Sequence, residues 1–192
     1  MRFVRIRTAR GTAAALVAVP LALGGLGSQS HAQAPSPSSS GTFGPGCSAL
    51  SQKASTVKDK VVEAAAAYPQ LSQLVSATVR AKLNSALDGK PDVTIFAPDN
   101  KAFQNVTVEQ LSSLLNNEGQ LKKVLGYHVV DKQITPDELS NGSFTTVEGS
   151  KLTTSGSGTD YKVNGKANIV CGNIKAANAT IYVIDSVLQP PS

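Results

Sequence analysis

The chain changes its hydrophobic period partway along. Across residues 48–87 apolar side chains recur at helical spacing: Val57, Val61, Val62 and Ala65 follow a candidate cap at Thr56, and Pro69 ends that run. Leu71, Leu74, Val75, Thr78 and Val79 share one side of a second helix, which Leu83 and Leu87 continue toward Asp88 and Gly89. The stretch 92–97, DVTIFA, reads as a short buried strand stopped by Pro98. Thr107-Val-Glu-Gln and Thr135-Pro-Asp-Glu have capping-box spacing, the second with Pro at the first helical position. They predict short helices around 111–115 and 136–139, with a further helix over 118–125. After Gly142 the period becomes two, and 144–147, 151–155, 161–163, 168–170 and 180–185 read as strands. Gly149, the SGSG run at 155–158 and the Asn164-Gly165 pair supply the turns between them. Helices first and antiparallel strands last predict an α+β domain.

The first 46 residues follow neither pattern. Residues 1–34 carry Arg2, Arg5, Arg7 and Arg10, no acidic residue, an apolar run over 12–23 and small residues ending in Ala32-Gln33-Ala34. These are the three regions of a secretory signal peptide with its cleavage site. Residues 35–46 are rich in Pro, Ser and Gly, a tether with too little apolar surface to fold alone. The folding unit is therefore expected over 47–192. Four of the 18 Lys and Arg residues, and none of the 13 Asp and Glu, lie in the leader, so the rest of the chain is near neutral, about +1. The overall basic balance thus gives no support to a nucleic-acid or anionic-membrane partner. No second long apolar segment exists to span a membrane after cleavage.

Cys47 and Cys171 are the only cysteines, and an export signal sends them to an oxidising compartment, so a disulfide between them is expected. A redox-active pair would need the C-x-x-C spacing that they lack.

Three stretches resemble one family. TIFAPDNKAF at 94–103, GYHVV at 126–130 and IYVIDSVLQPP at 181–191 are similar to the two signature blocks and the central Tyr-His motif of the fasciclin (FAS1) domain, in the same order. The cysteine pair and the ending KAANATIYVID add a similarity to the secreted immunogenic group of mycobacteria and their actinobacterial relatives. The resemblance implies a single FAS1 domain, an antiparallel β-wedge or sandwich with several short helices packed around it, in a secreted or cell-surface protein credited with adhesion. It also points to Tyr127 and His128 as partner-binding candidates, together with the segment Asn173, Ile174 and Lys175. That segment departs from the acidic Asp-Ile pattern tied to integrin binding in animal members, since Asn173 replaces the Asp and Lys175 follows the Ile.

The residues themselves offer little catalytic material. His128 is the sole His after the leader and sits in an apolar run, which predicts a buried, hydrogen-bonded side chain, bonded to the TIFAPDN loop. No G-x-S-x-G elbow accompanies it, one His and two oxidised Cys cannot make a zinc site, and no calcium-loop spacing is present. The expectation is a monomeric, non-enzymatic binding module without cofactor or metal, secreted or held at the envelope, with a protein or glycan partner. The alternative is a small-ligand or enzymatic protein using a cleft near His128. Sequons at Asn105, Asn141 and Asn178 would take glycans only in a eukaryotic secretory route.

Overall fold

A computed structural model describes residues 41–50 and 58–191. The expected leader 1–34, residues 35–40 of the expected tether, and the candidate cap Thr56 with Val57 lie outside the described residues. In chain order the elements are α1 (Cys47–Leu50), α2 (Val61–Ala66), a 3-10 turn at Pro69–Leu71, α3 (Ser72–Arg80), α4 (Asn84–Asp88), β1 (Val93–Pro98), α5 (Asn100–Gln104), α6 (Val108–Asn116) and α7 (Glu118–Tyr127). Then follow β2 (Val129–Val130), a 3-10 turn at Pro136–Leu139, β3 (Asn141–Thr145), β4 (Lys151–Ser157), β5 (Asp160–Val163), β6 (Ala167–Lys175) and β7 (Ala179–Ile184).

The strands lie in the order β2-β1-β7-β6-β5-β4-β3. All neighbours pair antiparallel except β1 and β7, which run parallel from Val93↔Ala179 to Pro98↔Ile184. The architecture is the expected α+β wedge, with one parallel pair, β1 and β7, inside the sheet. The sheet also curls back on itself. Val130 forms an antiparallel bridge with Thr146, and Val147 N–H donates to Val129 O at 2.8 Å, so the two edge strands meet. Closure of this kind satisfies backbone groups that an open edge would expose.

Every residue of β1 and β7 is buried, because both faces are covered. Val93, Ile95, Ala97, Ile181 and Val183 point to the helices, where Leu71, Leu74, Leu121 and Leu125 meet them. Phe96, Tyr182 and Ile184 point the other way, toward Leu152, Tyr161 and Val163 from the folded-over half of the sheet. Phe96 and Tyr182 are paired in register, with ring centroids 5.7 Å apart.

Several local expectations are modified by backbone detail. The second helix breaks at 81–83, where Lys82 adopts φ 56°. Lys82 N–H donates to Val79 O and Leu83 N–H to Thr78 O, the paired bonds of a Schellman ending, here built without glycine. Val79, in the last turn of α3, lies off the core face that Leu74, Ala77 and Thr78 form, and it is 54% exposed. Pro98 belongs to β1, whose pairing runs through it because β7 does not need its missing N–H. Asp99 then caps α5 by accepting from Ala102 N–H at 2.7 Å, which carries Phe103 into the core. The Thr135–Glu138 capping box forms, but on a 3-10 turn. In the β5–β6 turn Asn164 and Gly165 take φ 51° and 67°, as an Asn-Gly pair permits.

Of the expected tether, residues 41–46 pack on the domain, with Phe43 paired to Gly172 and its ring against the second core cluster. A single aromatic flanked by glycines found a seat that composition did not reveal. The disulfide Cys47–Cys171 follows immediately, with Cα atoms 4.8 Å apart across 124 residues of chain. Asn178, read from sequence only as a sequon, is a structural hub. Its Oδ1 accepts from Val61 N–H at 2.9 Å, and its Nδ2 donates to Leu87 O and Lys90 O, each at 2.9 Å. One side chain thereby ties α2 and the end of α4 to the start of β7.

Two outcomes test this description. Intact mass of natively exported protein should lie two hydrogens below the reduced form, with a peptide linking Cys47 to Cys171; on the chain-entropy model that link stabilises by up to about 5 kcal/mol. Asn178→Ala removes three hydrogen bonds to backbone groups and should cost about 2 to 4 kcal/mol in urea unfolding. A loss below about 0.5 kcal/mol would remove its role as a hub.

Candidate functional site

The Tyr-His motif lies at the junction of α7 and β2. Asn117 starts α7 by accepting from Gln120 N–H at 3.0 Å, and Leu121 and Leu125 anchor the helix on the core. At its end Tyr127 and His128 point into different regions. Tyr127 joins the cluster inside the folded sheet, where its hydroxyl donates to Lys151 O at 3.0 Å and accepts from Asn164 Nδ2 at 2.8 Å. It therefore ties α7 to β4 and to the β5–β6 turn.

His128 is 2% exposed and borders the helix-side core. Nδ1–H donates to Val124 O at 2.7 Å, and Nε2 accepts from Leu188 N–H at 3.0 Å. These two bonds define a neutral imidazole with the proton on Nδ1. Burial lowers its pKa from 6.5 to about 4, against a smaller opposing pull from the Val124 carbonyl. The expected link to the TIFAPDN stretch is made by backbone instead: Phe96 N–H donates to His128 O at 2.9 Å. The ring reaches the C-terminal segment because the chain after β7 turns back across α7.

The cavity beside His128 is apolar and about 30 Å³, lined by Val61, Leu74, Ile95, Leu125 and Ile181 among others. Small-molecule sites run to about 300 Å³ or more. The expected alternative of a ligand cleft at this His thus meets a space fit for little more than a water molecule.

The second candidate segment lies on β6, with β1 and β7 between it and β2, so the two groups are separated by roughly 14 Å. Asn173 and Ile174 are 2% and 4% exposed. Asn173 occupies a bulge with φ 60° and donates through Nδ2 to Gly41 O at 3.1 Å. Lys175 is half-buried, its Nζ donates to Thr180 Oγ1 at 3.0 Å, and burial lowers its pKa. Tyr127, His128, Asn173 and Ile174, expected as partner-binding residues, thus have buried side chains: the first three are internal ties and Ile174 is part of the core. Of that neighbourhood only Lys175 and the turn after it reach solvent, with Ala177 exposed.

Tyr182 follows the same logic. Its hydroxyl donates to Ile134 O at 2.9 Å, and burial pushes the phenol far above its ordinary pKa. Thr94 accepts from Ile134 N–H and donates to Lys132 O, fixing the loop after β2 to β1. Among the described residues no group of three or more His, Cys, Asp and Glu is placed to hold a metal ion. The residues that sequence reasoning missed are Phe43 and Asn178. Phe43 had a signal, as the sole aromatic of its segment, whereas the hub role of Asn178 had none.

The buried His128 generates a pH prediction. Its folded pKa lies below its unfolded value, so the unfolded state binds the extra proton between about pH 6.5 and 4. The associated stability is complete above about pH 6.5 and is lost as pH falls toward 4, on the order of 3 kcal/mol in all. His128→Gln should lower stability at pH 7.5 by roughly 1 to 3 kcal/mol and flatten the dependence across that window in urea titrations. An unchanged slope would assign the acid sensitivity to other groups.

Comparison with known proteins accords with this geometry. The fasciclin domain family model matches residues 69–190. The immunogenic protein MPB70 of Mycobacterium bovis is 33% identical over 92% of this chain and 97% of its own length. The cell surface glycolipoprotein MPB83 of the same species is 38% identical over 72% of this chain and 64% of its own. Protein sll1483 of Synechocystis is 37% identical over 74% of this chain. A solved FAS1 domain pair from the insect cell adhesion molecule fasciclin I superposes with TM-score 0.52 at 17% identity, over 64% of this chain and 46% of that one. The alignment thus spans about half of that two-domain structure and speaks to fold alone. With its signature blocks forming the parallel strand pair β1–β7 and its Tyr-His pair closing α7 onto them, the chain belongs to the fasciclin domain family.

Proposed function

We propose that this chain is an exported FAS1 module that acts at the cell envelope or in its surroundings by binding a protein or glycan, without catalysis. The observation that carries this reading is the state of His128. Both ring nitrogens are engaged by backbone groups, the ring is neutral, and the adjoining space is too small for a substrate. A general base needs an accessible nitrogen and a reacting partner. Two of the relatives are described as an immunogenic protein and a cell surface glycolipoprotein, which agrees with display at a surface. The near-neutral charge beyond the leader offers no long-range steering toward nucleic acid or anionic lipid.

With the Tyr-His pair internal, the contact moves to the turn between β6 and β7. Lys175 and Ala177 lie there beside the hub residue Asn178. A single domain presents such a patch once, so its attachment is weak unless copies are clustered.

Beads carrying the mature domain at increasing density should therefore retain envelope or medium components steeply with density, with little retention of DNA or liposomes. Ala177→Glu and Lys175→Glu should reduce retention about tenfold while leaving the melting temperature within 2 °C or so. Unchanged retention by both folded variants would place the contact elsewhere. Turnover of a substrate that His128→Gln abolishes, with the fold intact, would replace the binding reading altogether.

A further inference from the structure

Residues 41–46 behave as a strand-like ligand of their own domain. The β5–β6 ladder stops at Lys162↔Asn168, leaving that edge of β6 without β5 beyond this point. The N-terminal segment takes it. Phe43 N–H donates to Gly172 O at 3.2 Å, Gly172 N–H to Phe43 O at 2.7 Å, and Gly46 N–H to Val170 O at 2.8 Å. This is the main-chain pattern of strand addition.

The side-chain fit is specific to the segment. The Phe43 ring stands edge-on to Tyr161 at 5.4 Å and beside Tyr182 at 6.2 Å. Its seat exists because Gly172 has no side chain: a Cβ there would come within 2.3 Å of the ring. Gly44, with φ 108°, passes so close to β6 that a Cβ would approach Val170 O to 2.6 Å. At the far end Asn173 Nδ2 reaches Gly41 O, while buried Asn173 Oδ1 has no hydrogen-bond partner among the described residues. Cys47 closes onto Cys171, the residue next to the aromatic seat.

We propose that this edge is a strand-exchange site, occupied within one chain by its own Gly-Thr-Phe-Gly-Pro-Gly segment and able to take the same segment from a second copy. The occupant is the sequence already seated there, and each copy carries both the segment and the edge. The disulfide decides which arrangement persists. Closing Cys47 of one copy onto Cys171 of another removes two protons and two electrons from the thiols, and a small-molecule disulfide that accepts them becomes two thiols. Tethering favours the arrangement within one chain, so exchange grows with local concentration. The inference does not rest on the proposed envelope function.

Two full-length variants test it. The donor carries Cys171→Ala and keeps Phe43 and Cys47; the acceptor carries Phe43→Ala and Cys47→Ala and keeps Gly172 and Cys171. Neither can close its own bond. Mixed at high concentration with glutathione disulfide, they should give a covalent heterodimer containing a Cys47–Cys171 peptide, well above the statistical share set by the two homodimers. Adding Phe43→Ala to the donor, or Gly172→Leu to the acceptor, should lower the heterodimer at least about tenfold, the loss expected for a partly buried aromatic anchor. If Gly172→Leu does not fold, the donor change decides alone, because it alters only the incoming segment. Heterodimer at the statistical share, or yield indifferent to Phe43→Ala in the donor, overturns the proposal.

Discussion

The parallel contact between β1 and β7 brings together two strands from distant parts of the chain, and much of the fold rests on it. It runs in register for all six residues of each strand and places Phe96 against Tyr182 on one face and Ile95 beside Ile181 on the other. Because both strands lie inside the sheet, one face must be covered by helices and the other by the sheet's own return. That requirement produces two core clusters with different linings. It also explains why the two family signature blocks are runs of apolar residues with no alternation.

The polar residues near this pair act as ties between layers. His128 joins the last turn of α7 to the segment after β7, Tyr127 joins α7 to β4, Thr94 holds the loop after β2, and Asn178 holds α2 and α4. Each buries hydrogen-bonding groups in pairs, which is the condition under which a polar side chain can enter a core without a large cost. Their chemistry is therefore directed inward. A motif of aromatic and imidazole side chains that suggests a reactive or adhesive site is here a set of joints.

The amino-terminal strap is a different kind of joint, held by three main-chain bonds, one aromatic ring and one covalent bond. It finishes an edge of β6 that the hairpin with β5 leaves uncovered, and so extends the closure that begins where β2 meets the end of β3. The same bonds that protect the edge define what can occupy it.

Much of this was legible in the chain alone. Periodicity located the helices and the late strands, capping residues located Thr107 and Thr135, and the cysteine count with an expected export leader pointed to one disulfide. These features depend on neighbours a few residues apart or on pair counting, and local physics decides them. The apolar flanks of His128 likewise foretold its burial. Other features required the tertiary structure: the parallel register of β1 with β7, the break at Lys82, the seat of Phe43 over Gly172, the hub at Asn178, and the inward direction of Tyr127, Asn173 and Ile174. Each depends on which distant backbone groups arrive next to a side chain, and that is a property of the closed sheet, which no short window of sequence contains.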